Sequence, residues 1–209
     1  MNEIITEHIS RYPSLAPIAE EIQGAVDTIL TCYRSGGKLL LCGNGGSAAD
    51  SAHIVGELMK SFKFRRAIDS SLAEKLRSLG DDGAYLAEKL EGALPAVALT
   101  EASALNSAYA NDNDPAAVYA QQVNGLGREG DILLTLTTSG NSRNCLLAAV
   151  AAKAKGMCVI AFTGEGGGKI ASLANVLIAV PECETYRVQE LHLPVYHAIC
   201  AAVEKEIFG

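Results

Sequence analysis

The sequence has no tryptophan, and aromatic residues make up only 5% of its 209 positions. A surface that stacks unpaired bases needs several aromatic side chains, so a platform of that kind is not expected. Basic residues are also in the minority: 17 Lys and Arg face 24 Asp and Glu, for a formal net charge of -7 and a pI near 5.1. A chain that grips a phosphate backbone shows the reverse balance, so no nucleic-acid partner is expected. No apolar run is long enough to span a bilayer, and "MNEIITEHISRYPS" lacks the basic stretch and apolar segment of a secretion signal. A membrane partner is therefore not expected either. The six cysteines (Cys32, Cys42, Cys145, Cys158, Cys183 and Cys200) include no CxxC pair. Most sit in apolar runs, where a thiol acts as a small hydrophobe. A reduced, cytoplasmic setting is expected, and a disulfide framework or zinc ribbon is not. There is no internal repeat and no low-complexity tract.

What is present is a chain that is 49% hydrophobic, of a length that suits one domain over residues 1–209. Ile18, Ile22, Val26 and Ile29 recur at helical spacing and predict an amphipathic helix over 14–35, ended by "SGG". "KLLLCG" (38–43) is short and continuously apolar, as in a strand buried on both faces. Similar runs return as "PAVALT" (95–100), "DILLTLTT" (131–138), "MCVIAFTG" (157–164) and "VLIAVP" (176–181). Helical patterns separate them at 46–61, in two pieces between 101 and 126, and at 142–155. This alternation predicts an α/β fold: a parallel sheet with helices on both faces. A last helix is expected over about 186–207, bent where Pro194 removes a backbone donor. Residues 67–94 break the rhythm and read as two short amphipathic helices around "GDDG": a surface hairpin, or else a lid or an oligomer contact.

Three strand ends carry glycine and hydroxyl side chains: "GNGGS" (43–47), "TTSGNS" (137–142) and "TGEGGGK" (163–169). In a parallel α/β sheet, ligands bind beyond the carboxyl ends of the strands. Glycine lets backbone approach a ligand, and a following helix offers free N–H groups to an anion. GxGxxG is missing and no Walker lysine follows either of the first two loops, so neither a dinucleotide site nor a nucleotide P-loop is expected. Each loop alone also reads as a turn with a capping residue, Ser47 in the first and Asn141 or Ser139 in the second. Two at one sheet edge favour a phosphate or other small anion. His53 and Glu57, four apart, share a helix face. Gln189 and His197 lie within about a quarter turn of one face of the last helix. If the two helices meet, the set suits a divalent metal or an acid/base pair beside a sugar carbonyl. His192 competes with His197, and periodicity does not choose between them.

Taken together, "CGNGGSAADSAHIVGEL", "ANDNDP", "GREGDILLTLTTSGNS", "TGEGGGK" and "RVQELHLPVYH" resemble the sugar isomerase (SIS) domain of the phosphoheptose isomerases. The resemblance covers nearly the whole chain apart from 67–94. It implies a three-layer α-β-α sandwich with a flavodoxin-like five-stranded parallel sheet, assembled as a homotetramer. It implies interconversion of sedoheptulose 7-phosphate and a heptose 7-phosphate, on the route to ADP-heptose. By similarity, Asn44, Gly45 and Gly46 contact substrate, with Ser47 near its phosphate. Thr137, Thr138, Ser139 and Ser142 cradle that phosphate, and Asn111 and Asp112 hold sugar hydroxyls. His53, Glu57, Gln189 and His197 match zinc ligands, Glu57 and Gln189 also counting among the substrate contacts. Glu57 and His197 match the acid/base pair, which favours His197 over His192.

The chain also departs from the family pattern. A Gly-Arg-Tyr segment after the glutamate is absent; its position falls at Ser61 in "MKSFKFRR", where Lys60, Arg65 or Arg66 are candidates to stand in. Tyr186 replaces an aspartate, and Thr137 a serine. The alternative reading is a phosphosugar-binding or replication-initiator-binding SIS protein without turnover. "VYAQQV" (118–123) resembles such a binder, but an adaptor has no need of His53, Glu57, Gln189 and His197.

Overall fold

The five apolar runs form five strands of one parallel sheet. The computed structural model covers residues 1–209. In chain order the elements are α1 (Glu3–Arg11), a 3-10 segment (Pro13–Ile18), α2 (Ala19–Arg34), β1 (Leu39–Gly43) and α3 (Gly46–Met59). The hairpin α4 (Ser70–Arg77) and α5 (Asp81–Lys89) follows, then β2 (Ala96–Ala98), α6 (Ser103–Asp112) and α7 (Val118–Leu126). The chain continues through β3 (Ile132–Leu136), α8 (Arg143–Ala154), β4 (Cys158–Thr163), β5 (Val176–Ala179) and α9 (Thr185–Phe208). The strand order is β2-β1-β3-β4-β5, with every pairing parallel. This is the flavodoxin-like order, and it reverses direction between β1 and β3.

Successive side chains of a strand leave on opposite faces. Leu39 and Leu41 therefore join one core, with α1, α2, α3 and α9, while Leu40 and Cys42 join the other, with α7 and α8. Both faces of β1 and β3 are fully covered, which is why these strands read as unbroken apolar runs. β2 is shorter than its run because Leu99 starts a 3-10 turn.

One expectation is corrected. The helix expected over 14–35 is a 3-10 segment up to Ile18 and an α-helix only from Ala19. Pro13 and Pro17 both lack the donor that an α-helical turn needs, so the chain takes the tighter turn there. Helix α1 was not expected; Asn2 caps it by accepting from the Ile4 N–H at 2.9 Å. Pro194 lies inside α9, which runs as one helix of 24 residues. The hairpin of 67–94 forms as expected.

One buried ion pair ties the last helix to α3. The side chains of Arg66 and Glu204 are both 0% exposed, and Arg66 Nε donates to Glu204 at 2.7 Å. The Glu204 carboxylate also accepts from the backbone N–H of Phe62 (2.8 Å), Lys63 (2.7 Å) and Phe64 (3.3 Å). The other end of Arg66 donates to the Leu58 and Glu57 carbonyls at 2.6 and 2.8 Å, closing the end of α3. A buried charge needs this degree of pairing. Burial alone would raise the Glu204 carboxyl, but the Phe62 and Lys63 N–H groups and Arg66 outweigh it and hold the group below its ordinary 4.5. A depressed folded value gives stability that is complete above the unfolded-chain value of about 4.3 and is lost as pH falls through the folded value. Glu204→Gln leaves Arg66 buried and unpaired. It is expected to cost about 3–5 kcal/mol in urea unfolding at pH 7 and to remove this part of the acid limb of stability against pH. An unchanged acid limb would show that the pair does not titrate with folding.

Candidate active site

The crevice at the β1/β3 reversal is built by two loops that start two helices. After β1, Gly45 takes φ +56 at the N-cap of α3 and supplies no side-chain cap. A positive φ there is a glycine conformation. Ser47, the cap in the plain-turn reading of this loop, is instead buried in the first turn. The Tyr119 hydroxyl donates to the Gly43 carbonyl at 2.7 Å and supports this loop from α7. After β3, Ser142 is the N-cap of α8, yet its side chain makes no cap bond. Its hydroxyl accepts from Thr137 Oγ1 at 3.1 Å. Asn141 and Ser139 do not cap either: the Asn141 N–H donates to Ser139 Oγ, and the Asn141 amide donates to the Ser139 carbonyl and accepts from the Lys169 N–H. In α3 the Ser47 and Ala48 N–H groups donate to the Asn44 and Gly45 carbonyls, and in α8 the Cys145 N–H donates to Asn144 Oδ1 at 3.0 Å; the N–H groups of Gly46, Arg143 and Asn144 make no hydrogen bond, beside one crevice. That arrangement suits an anion.

The loops are locked to one another. Asn44 and Asn144 form a reciprocal amide pair, at 2.9 and 2.8 Å, across the crevice. Gly140 has φ +65, and a Cβ there would fall 2.0 Å from the Gly167 carbonyl oxygen. "TTSGNS" is thus packed directly on "TGEGGGK", and the Ile170 N–H donates to the Gly140 carbonyl at 3.0 Å.

Helices α3 and α9 do meet, and they bring the titratable residues together. Ligand atoms of His53, Glu57 and His197 lie within 4.8 Å of one another. His53 Nε2 is 3.2 Å from Glu57 Oε1 and 3.4 Å from His197 Nε2. The Glu57 side chain is 13% exposed, with Lys60 Nζ at 3.4 Å from its other oxygen. Burial first, and then His53, push His197 below 6.5, with Glu57 opposing, so its neutral form is favoured at pH 7. Two imidazole nitrogens and a carboxylate oxygen facing one point are a donor set that fits a borderline divalent ion such as zinc. Gln189 lies on the side of the phosphate-type loop, where a Cβ on Gly46 would meet its amide nitrogen at 2.6 Å.

His192 is elsewhere. It is 0% exposed beneath β4, with Nε2 3.1 Å from the Thr163 carbonyl oxygen, and burial holds it down at about 4. Asn111 and Asp112 are exposed at the end of α6 and hydrogen-bond each other at 2.9 Å; no hydrogen bond ties either to the His53 cluster. Of the three cations considered for the altered segment, Arg66 is consumed in the ion pair with Glu204. Arg65 faces the hairpin, and Lys60 reaches Glu57. Asn144, Tyr119, Tyr196 and Asp50 had no sequence signal. Each acts on a residue distant in the chain.

Comparisons with known proteins show the family. The SIS domain family model matches residues 14–93 and 82–164. A phosphoheptose isomerase of Akkermansia muciniphila is 36% identical over 213 aligned residues, covering 100% of both chains. One from Clostridium acetobutylicum is 38% identical, covering 91% of this chain and 84% of its own. The solved phosphoheptose isomerase of Neisseria gonorrhoeae superposes with a TM-score of 0.75 at 34% identity, covering 96% of this chain and 94% of its own.

The Asn44–Asn144 pair can be probed without any ligand. Asn144→Ala removes both amide bonds at a cost of about 1–2 kcal/mol of local stability. Amide exchange at residues 44–48 is then expected to speed up roughly tenfold while the rest of the sheet is unaffected. Uniform exchange rates in the two proteins would mean that the pair does not hold the loop.

Proposed function

This chain belongs to the SIS-domain family of phosphoheptose isomerases, and from that premise we propose that it interconverts sedoheptulose 7-phosphate and D-glycero-D-manno-heptose 7-phosphate. The protein is an isomerase. The observation that carries the reading is the convergence of His53, Glu57 and His197 beside two loops suited to a phosphate.

The phosphate binds at the free starts of α3 and α8, with Ser47, Thr138, Ser139 and Ser142 around it and Thr137 orienting the Ser142 hydroxyl. Asn44, Gly45 and Gly46 line the sugar, and Gln189 closes over Gly46. Asn111 and Asp112 take sugar hydroxyls. Holding the remote phosphate lets binding energy orient C1 and C2 at the reacting groups. The Glu57 carboxylate removes the proton from C1 of the ketose as His197 gives a proton to the carbonyl oxygen on C2. The product is an enediol. Glu57 then returns its proton to C2, and the hydroxyl on C1 loses its proton to His197, leaving the aldose and restoring both groups. Lys60 Nζ lies 3.4 Å from Glu57 Oε2.

His53, Glu57, Gln189 and His197 would hold one zinc ion per subunit. When bound, the ion supplies polarisation of the substrate's oxygens. We further propose a homotetramer in the cytoplasm that supplies a heptose phosphate to ADP-heptose synthesis. No helix is long and apolar enough to cross a membrane, which is consistent with that setting.

The test is turnover of sedoheptulose 7-phosphate followed by NMR in deuterated water. Deuterium is expected at the C1/C2 position, and Glu57→Gln is expected to lower kcat by about 10²–10⁴-fold, the usual share of one acid/base group. A mutant that exchanges at the wild-type rate would remove Glu57 from its role. Protein purified without chelator is expected to carry about one zinc per chain, and His53→Ala to lose it. A metal-free protein that added zinc does not activate would overturn the zinc assignment and leave the isomerase assignment standing.

A further inference from the structure

Tyr196 is not among the residues that face the crevice. It is 1% exposed, yet its hydroxyl is the one polar group that reaches His53 from α9 and also meets Asp50. The oxygen is 3.0 Å from His53 Nδ1 and 3.2 Å from Asp50 Oδ1. Asp50 and His53 are three apart on α3, so both face α9, and Tyr196 is adjacent to His197.

The three groups admit one direction of hydrogen bonding. An ionised carboxylate only accepts. The phenol has one proton, and an ordinary tyrosine, which ionises at pH ~10, keeps it at pH 8. The hydroxyl must then donate to Asp50, which leaves its lone pairs to accept from the His53 ring. His53 Nδ1 accordingly carries the hydrogen. The opposite ring nitrogen, Nε2, is left with a lone pair pointing at Glu57 and His197. An imidazole with a free tautomer would be drawn the other way, because Nε2–H could donate to the Glu57 carboxylate 3.2 Å away. That form would bury the lone pair needed at the site.

We propose that Tyr196 and Asp50 are positioning residues whose hydrogen-bond relay fixes His53 as the Nδ1–H tautomer and turns its Nε2 lone pair into the site. The relay acts on a nitrogen that the Proposed function assigns to zinc, and in that respect it rests on that reading. The tautomer itself does not. Outer partners of this kind orient metal-binding imidazoles, and their loss weakens metal affinity by about 10–100-fold.

The experiment is a long-range ¹H–¹⁵N correlation of the histidine rings in the metal-free protein at pH 8. In the wild type, His53 is expected to show the Nδ1–H pattern. Tyr196→Phe keeps the buried ring and deletes only the hydroxyl, and is expected to shift His53 toward the Nε2–H form. Asp50→Ala, at a half-buried position, is a second variant that leaves the Tyr196 ring in place. It is expected to move His53 in the same direction. Zinc affinity by competition with a chelator is expected to fall about 10–100-fold in Tyr196→Phe. A wild-type His53 in the Nε2–H form, or an unchanged ring pattern in both variants, overturns the proposal. If the wild type shows the expected tautomer and binds no zinc, the zinc reading fails and the relay stands.

Discussion

The pairing of Arg66 with Glu204 is the constraint on which the site depends. A guanidinium and a carboxylate with no solvent exposure are tolerated only when most of their hydrogen-bonding groups are used. Here that requirement forces three segments together. Glu204 gathers the backbone of 62–64, Arg66 closes the last carbonyls of α3, and the pair locks both to the end of α9. Glu57 contributes its own carbonyl to Arg66. Its side chain is therefore projected from a backbone that cannot shift without breaking a buried ionic bond. His197 lies two turns before Glu204 on the same helix. The positions of Glu57 and His197 relative to one another thus follow from an ion pair that touches neither side chain.

The anion side of the crevice is built on a different principle. Its strength comes from bonds that are withheld. The side chains that ordinarily cap a helix are engaged elsewhere: Ser142 with Thr137, Asn141 with Ser139 and Lys169, Asn44 with Asn144. These engagements stiffen the loops and leave the N–H groups of Gly46, Arg143 and Asn144 for a ligand, while Asn144 takes up the Cys145 N–H. In a chain of net charge -7, this local source of positive potential matters more than the global field.

The sheet was legible in the sequence because its strands are covered on both sides, so every residue of β1 and β3 is apolar or buried. The helix and strand order followed directly. Local chemistry that contradicts periodicity was less legible: Pro17 lies inside an otherwise regular apolar spacing and turns its first part into a 3-10 segment. The crevice loops were legible as glycine and hydroxyl clusters, but which side chains cap was not, since a cap depends on where a side chain turns. Long-range pairs were not legible at all. Arg65 and Arg66 are adjacent and chemically identical, yet one is exposed and the other is 1% exposed because Glu204 lies 138 residues away. His192 and His197 differ in the same way: five residues of helix rotate one beneath β4 and the other toward α3.

The same frame limits what the hairpin of α4 and α5 can do. It leaves the body at Arg66 and returns at Gly92, whose N–H donates to the Arg66 carbonyl at 3.1 Å; two residues on, the Leu94 N–H donates to the Leu58 carbonyl at 3.0 Å. Glu91 also accepts from the Ser61 N–H at 2.8 Å, so the departed Gly-Arg-Tyr position has become part of the hairpin's base. A rigid swing of the whole hairpin would break these bonds, each worth about 0.5–1.5 kcal/mol, and would pull on the carbonyl that Arg66 also uses. It would therefore move Glu57. Motion that leaves the Glu57 carboxylate in place is confined to the far end of the hairpin, where Leu79 and Tyr85 are 76% and 60% exposed. The base of the hairpin belongs to the frame of the site, and only its tip is free to meet another surface.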